Sequence, residues 1–257
     1  MRPKKSLSQN FLRDPVILGR IVDVAGVGPH DTVLEIGPGP GTLTRVLLER
    51  AGRVVAVEFD RELARRLASE MAGTPNLSLY EGDFMKFPLD NIEGPFKVVA
   101  NIPYHITTPI IFRLLEERQR LISMTLTVQK ELADRAAAPP GTKTYGVLSV
   151  MLQYHGMVRR AFVIPAGAFR PAPKVDSACL HLEVTPEPTV DVPDPAAFRE
   201  MVKAAFSQRR KTILNSLRKL YPSAADALSE AGIDTMRRPE TLSLEEFAAI
   251  AHAMHRD

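Results

Sequence analysis

Asn101, Ile102, Pro103 and Tyr104 follow one another at the end of an apolar run, and their side chains suit a reaction at a poor nucleophile. The exocyclic amine of adenine is such a nucleophile, because its lone pair is delocalised into the ring. Two acceptors aimed at its N–H groups favour the pyramidal nitrogen that attacks a methyl carbon. The Asn101 side-chain oxygen and the Ile102 backbone carbonyl are the candidates. Pro103 cannot donate a hydrogen bond and stiffens the turn, and Tyr104 offers a ring on which a base can stack. An amide in place of a carboxylate implies that no strong general base is needed. Catalysis would then be mainly positioning, which can supply about 7–11 kcal/mol. Taken alone, an Asn-x-Pro-Tyr segment also fits a turn with a core tyrosine.

What lies upstream favours the chemical reading. Glu35-Ile36-Gly37-Pro38-Gly39-Pro40-Gly41-Thr42 joins a strand pattern to a helical one. Glycines at such a turn let the backbone approach a ligand at the carboxyl end of a sheet. The spacing is G-x-G-x-G, not the G-x-G-x-x-G of a dinucleotide site. Pro38 and Pro40 remove two N–H donors that a pyrophosphate would use. The loop, with Gly37 and Gly39 nearest the ligand, therefore suits a molecule without phosphate, such as S-adenosylmethionine; a plain structural turn is the alternative. Glu58 ends the second strand, where a carboxylate can accept both ribose hydroxyls. Asp83 follows the third, placed to accept an adenine amine. Singly, each carboxylate could be a surface residue; in succession along one sheet they form a set.

These residues need a scaffold. Strand patterns fall at residues 32–36, 53–58, 77–81, 97–100 and 122–128, separated by helix-length crossovers. That alternation predicts a doubly wound α/β domain with a parallel sheet. Residues 161–164 and 177–184 read as an antiparallel strand pair ending the sheet. Four prolines within residues 185–195 mark a boundary, placed between 187 and 188. Beyond it, helical patterns at 198–206, 212–220, 224–231 and 244–254 predict a small all-helical domain.

Composition narrows the classes. The chain has 257 residues, 45% hydrophobic and 25% charged, which excludes global disorder. No apolar run approaches a membrane span, and the basic amino terminus lacks the apolar core of a signal peptide. One cysteine, Cys179, allows no internal disulfide and reads as core filling, so the expected location is the cytoplasm. His252 and His255 lack a third ligand nearby, and no metal site is expected. The net charge of +3 permits a nucleic-acid partner without requiring one. Basic residues are locally concentrated, Lys4 and Lys5 near one end and Arg209, Arg210 and Lys211 near the other. Such clusters suit phosphate contacts; a solvated tail and a charged helix start are the alternatives.

Ordered segments along essentially the whole chain carry a resemblance. They are SLSQNFLRD (6–14), VLEIGPGPGTLT (33–44), VAVEFD (55–60), EGDFMKF (81–87), NIPYHITTP (101–109), FRPAPKVDS (169–177) and FSQRRKTILNSL (206–217). With them the sequence resembles the KsgA-type ribosomal RNA adenine dimethyltransferases. Ile102 stands where Leu is common in that family, and His105 where Asn is common. The resemblance implies a class I methyltransferase (Rossmann-like) domain joined to a helical one. It implies transfer of two methyl groups from S-adenosylmethionine to N6 of each of two adjacent adenines, in a hairpin near the 3′ end of small-subunit rRNA. By position, Gln9, Asn10 and Leu12 should line the cofactor pocket with Gly37, Gly39, Glu58, Asp83 and Asn101. Phe169 would supply a second aromatic face for the flipped base. The assembling small subunit is the implied partner of a monomeric enzyme.

Three alternatives stay open at this point. Erm-type enzymes, which act on a large-subunit adenine, share NIPY and PKV but generally lack the FSQRRKTILNSL stretch. A ribosome-assembly factor with secondary methylation would keep the same residues. A nicotinamide-dependent oxidoreductase is disfavoured by the prolines of the loop.

Overall fold

Val, Ile and Leu runs bounded by turn residues fold as strands, and the computed structural model describes them within residues 10–208 and 210–255. In chain order the strands are β1 (Phe11–Leu12), β2 (Thr32–Ile36), β3 (Arg53–Glu58), β4 (Leu77–Glu81), β5 (Phe96–Asn101), β6 (Leu121–Gln129), β7 (Gly156–Ile164), β8 (Phe169–Arg170) and β9 (Ser177–Val184). The helices are α1 (Pro15–Ala25), α2 (Thr42–Leu48), α3 (Arg61–Glu70), α4 (Thr107–Glu116), α5 (Lys130–Ala136), α6 (Val147–His155), α7 (Pro195–Ala205), α8 (Ile213–Leu217), α9 (Ala224–Glu230) and α10 (Leu244–His255).

Seven of the described strands form one sheet in the order β4-β3-β2-β5-β6-β9-β7. Pairing is parallel from β4 through β6, and β9 then runs antiparallel to β6. In β2 and β3, successive residues are buried rather than alternate ones, so both sheet faces are covered. Helix α1 shows how a covering helix is specified. Asp14 caps its first N–H groups, Pro15 opens it, and Gly26 closes it at φ 57°. Its buried residues, Leu18, Ile21, Val22 and Ala25, form one stripe. They join Val33, Leu47, Val54 and Cys179 in a continuous core. Burial pushes the Cys179 thiol up to about 12, which fits a core residue rather than a nucleophile.

Strands β1 and β8 are a departure from the sequence pattern. They pair antiparallel, Phe11 opposite Arg170 and Leu12 opposite Phe169. Two residues are too few to show periodicity, and their partners are far apart in the chain.

The domain division also differs from a single cut after residue 187. One compact unit comprises residues 1–133 and 159–186, the other residues 134–158 and 187–257. Residues 134–158 join the helical unit because α6 supplies part of its core. Tyr154 packs on Phe198 with ring centroids 5.2 Å apart, and Tyr145 on Phe206 at 6.0 Å. Helix α8 is shorter than its pattern suggested, starting at the Thr212 cap and ending at Leu217. Among the described residues, no helix is long and apolar enough to cross a membrane. Nor could any group of three or more His, Cys, Asp or Glu among them hold a metal ion.

Gly41, which precedes α2, has φ 77°, and a Cβ there would lie 2.5 Å from Leu67 Cδ1 and 3.0 Å from Met71 Cε. Gly41→Ala should therefore cost about 1–3 kcal/mol. Urea unfolding should show a lower midpoint with an unchanged slope.

Candidate active site

The sheet order reverses direction between β2 and β5. From β2 the chain moves outward through β3 and β4, then returns to place β5 on the other side of β2. The connections therefore part at the carboxyl ends of these strands and leave a crevice. Ile36, Glu58 and Asn101 end β2, β3 and β5, and Gly82-Asp83 follows β4. All of them line one cavity of about 310 Å³.

The glycine loop forms one wall, and its donors are already taken. Gly37 N–H donates to the Val57 carbonyl at 2.9 Å, and Gly41 N–H to the Pro38 carbonyl at 2.9 Å. Gly39 N–H donates to Glu58 Oε2 at 2.8 Å. Pro38 and Pro40 have no N–H to give. A phosphate would therefore find none of the three glycine amides free. Gly39 has φ 58°, and a Cβ there would lie 2.9 Å from the Phe11 ring, so the loop and the amino-terminal strand meet closely.

Acidic groups are prominent on the cavity wall. Glu58 is 5% exposed, and its Oε1 also accepts the Asp60 N–H at 2.7 Å. Burial pushes its carboxyl above the ordinary carboxylate range, while the N–H groups of Asp60 and Gly39 pull it back. One hydrogen bond on each oxygen leaves further lone pairs for ligand hydroxyls. Asp83 Oδ1 accepts the Met85 N–H at 2.9 Å. Beneath the loop, Glu35 is 1% exposed with Oε2 unpartnered. Desolvation pushes its carboxyl up to about 8, and the charge of Glu58 adds to the shift. A wall rich in acceptors and short of phosphate donors fits a cationic, hydroxyl-bearing ligand such as S-adenosylmethionine.

Opposite the loop stands the turn after β5. Asn101 Nδ2 donates to the Asn10 carbonyl at 3.0 Å. A carbonyl can only accept, so the amide must present its NH2 group to Asn10, which leaves Oδ1 for another partner. Ile102 is 2% exposed, and the Pro103 carbonyl accepts the Ile106 N–H at 3.2 Å. Tyr104 lies on the cavity wall, its hydroxyl 2.7 Å from that of Ser177. Burial raises its phenol above the ordinary value.

The cavity thus brings together Asn10, Gly37, Gly39, Glu58, Asp83, Asn101, Ile102, Pro103 and Tyr104. Two expectations need correction. Leu12 is 2% exposed and packs in the core; its carbonyl, which accepts Thr42 Oγ1 at 2.9 Å, ties the strand to α2 instead. Phe169 is fully buried in the same core and presents no face to the cavity, because its pairing with Leu12 turns it inward. Gln9, Lys4, Lys5 and Arg209 lie outside the described residues. Arg210 and Lys211 are exposed in the helical unit, just before the Thr212 cap.

Pattern reading missed Glu35, Phe11, Phe59 and Met85. Phe59 and Met85 are 61% and 39% exposed on the cavity wall. Their signal was adjacency to the strand-end acids, as in Glu58-Phe59 and Asp83-Phe84-Met85. Sequence alone does not tell an exposed aromatic from a buried one.

Comparison with known proteins adds an independent line. The family profile described as ribosomal RNA adenine dimethylase matches residues 1–256. "Ribosomal RNA small subunit methyltransferase A" of Geobacter sulfurreducens is 44% identical, covering 99% of this chain and 96% of that protein. Among solved structures, a dimethyladenosine transferase from Plasmodium falciparum superposes with a TM-score of 0.83 at 27% identity, over 96% of this chain and 98% of its own. The 23S rRNA methyltransferase ErmE gives 0.77 at 30% identity, over 96% of this chain and 100% of its own.

Glu35, buried next to Ile36 of the wall, provides a test of the local electrostatics in the ligand-free protein. Its carboxyl moves from an ordinary 4.5 to about 8 on folding. The folded chain thus holds the extra proton between those values, and stability falls as pH rises through that window. Glu35→Gln cannot ionise and should escape this loss. Relative to pH 5, the variant should gain at pH 9 about 2–4 °C in Tm for each kcal/mol relieved. Parallel curves of Tm against pH would refute the assignment.

Proposed function

The chain belongs to the ribosomal RNA adenine dimethylase family, and on that premise we propose how its own residues carry out methyl transfer to small-subunit rRNA. The reaction moves methyl groups from S-adenosylmethionine to N6 of two adjacent adenines, giving N6,N6-dimethyladenosines. The bound cofactor supplies an electrophilic methyl on a positively charged sulfur.

Glu58 accepts the ribose hydroxyls of that cofactor through lone pairs left over from Gly39 and Asp60. Asp83 accepts the exocyclic amine of its adenine, and Phe59 and Met85 give the ring apolar cover. Gly37 and Gly39 allow the close approach that a side chain would block, and Asn10 closes the wall beside Phe11. The acidic wall favours a cation, and the occupied loop amides disfavour a dinucleotide.

At the other wall, the target adenine leaves its stack and lies on the Tyr104 ring; extrusion costs a few kcal/mol and is cheapest for a loop base. Asn101 Oδ1 and the Ile102 carbonyl accept its two N–H groups, drawing the lone pair out of conjugation and along the line of attack. Pro103 keeps the two acceptors at a fixed spacing. After the first transfer one N–H remains, and one acceptor suffices to orient the nitrogen for the second. As the N–C bond forms, the electron pair of the broken C–S bond would stay on sulfur, and the now cationic nitrogen loses its proton to water, so no strong base need stand at Asn101. The observation that supports this reading is the Asn101 hydrogen bond to the Asn10 carbonyl, which engages the amide nitrogen and leaves the amide oxygen available as an acceptor.

Small-subunit rRNA, rather than large-subunit rRNA, is the substrate favoured by the 44% identity to a small-subunit enzyme against 30% to ErmE. Fold similarity alone does not separate them. Arg210 and Lys211, with Lys4, Lys5 and Arg209, contact rRNA phosphates. Binding should consequently weaken steeply with salt. The protein acts as a cytoplasmic monomer on the assembling subunit, with no metal.

Asn101→Ala should lower kcat by about 100-fold or more, as expected when an acceptor poised for the transition state is removed, with little change in cofactor affinity by calorimetry. Mass spectrometry of rRNA from cells carrying only this variant should show unmodified adenines in the small subunit. Normal dimethyladenosine would defeat the mechanism, and unchanged modification in cells lacking the protein altogether would defeat the assignment.

A further inference from the structure

Ser177 opens β9 and is fully buried. Its hydroxyl lies 2.7 Å from that of Tyr104, across 73 residues of chain. The backbone around Ser177 is held on both sides. Ser177 sits opposite Gln129 in the β6–β9 ladder. Asp176 accepts the Lys130 N–H through its carbonyl at 3.0 Å and the Ala166 N–H through Oδ1 at 3.0 Å. A hydroxyl mounted on such a backbone is a fixed point.

Tyr104 has no comparable support of its own. It belongs to a single 3-10 turn, Tyr104–Ile106, whose start carries no side-chain cap. The side chain has two rotatable dihedrals; a hydrogen bond at the tip of the ring restrains χ1, which sets where the ring stands, because Oη lies on the χ2 axis. Its phenol, raised by burial, stays neutral and can either donate to Ser177 or accept from it.

We propose that Ser177 is a positioning residue for methyl transfer: its hydroxyl holds the tip of the Tyr104 ring in place, so that the ring stays at the wall where an extruded adenine stacks. The proposal rests on Tyr104 being the stacking platform. Ser177 does not border the cavity, so it reaches the substrate only through Tyr104. One chain segment then serves both halves of the turn. At its start, Phe169-Arg170 pairs with the strand beside Asn10, whose carbonyl orients Asn101; at its end, Ser177 orients Tyr104.

The test uses the full-length protein, rRNA substrate and labelled methyl donor, with Ser177→Ala, Ser177→Thr, Tyr104→Phe, Tyr104→Ala and the Ser177→Ala/Tyr104→Phe double variant. Ser177→Ala should lower kcat about five- to tenfold, the range of one lost hydrogen bond, with an unchanged KM for S-adenosylmethionine. Ser177→Thr should recover most of the rate. Tyr104→Phe should show a similar loss, and the double variant should be no slower than Tyr104→Phe alone. A wild-type rate for Ser177→Ala, or a full further loss in the Tyr104→Phe background, would overturn the proposal. Should Ser177→Ala fail to fold, a wild-type rate for Tyr104→Phe would overturn it equally. Tyr104→Ala separates the two levels. If it methylates normally, the stacking platform falls and Ser177 with it; if it is inactive while Ser177→Ala is normal, only the role of Ser177 falls.

Discussion

A single hydrogen bond, from the Asn101 amide nitrogen to the Asn10 carbonyl, decides which way the Asn101 amide faces. A primary amide has a donor side and an acceptor side, and fixing one fixes the other. Here the donor side is bound to backbone, so the acceptor side is left for another partner. The partner carbonyl must itself be held, and the pairing of Phe11 and Leu12 with Arg170 and Phe169 holds it. The burial of Leu12 and Phe169 anchors that small ladder in the core. Two residues expected to touch ligands thus pack beneath the cavity, next to Asn10, which lines it.

The cofactor wall works by a related economy of donors. A glycine-rich turn at a strand end ordinarily presents free amides and so attracts phosphate. In this chain the remaining glycine amides are bound to Val57, Pro38 and the Glu58 carboxylate. The acidic groups that line the cavity, Glu58 and Asp83, stand on an otherwise largely apolar wall. Glu58 has two roles at once: it neutralises a loop donor and retains lone pairs for a ligand. Glu35 beneath it holds its proton more tightly than a solvated carboxyl, and two neighbouring buried carboxyls would repel if both were ionised.

Much of this was legible in the residues. The strand at 53–58, the carboxylate at its end and the prolines in the loop are local features, and the structure keeps each where its pattern placed it. The Asn101–Tyr104 turn was legible because its four residue types have few uses in combination. Phe169 shows the limit of transfer by position, since an aromatic in a matching motif can be a base platform or a core anchor. Only its neighbours distinguish the two. Residues 134–158 show the same limit at the scale of domains, because α6 packs with helices distant in sequence.

Periodicity, turn residues and charge placement are short-range properties, so the amino-acid sequence by itself determined the sheet, its crossovers, the strand ends that line the cavity and the types of chemistry available there. The tertiary structure decided what depends on groups far apart along the chain. It paired β1 with β8, turned the Asn101 amide, closed off the loop donors, set Ser177 against Tyr104, and buried Leu12 and Phe169. Each of these is a hydrogen bond or a packing contact across tens of residues, and no local pattern encodes where such a partner will stand.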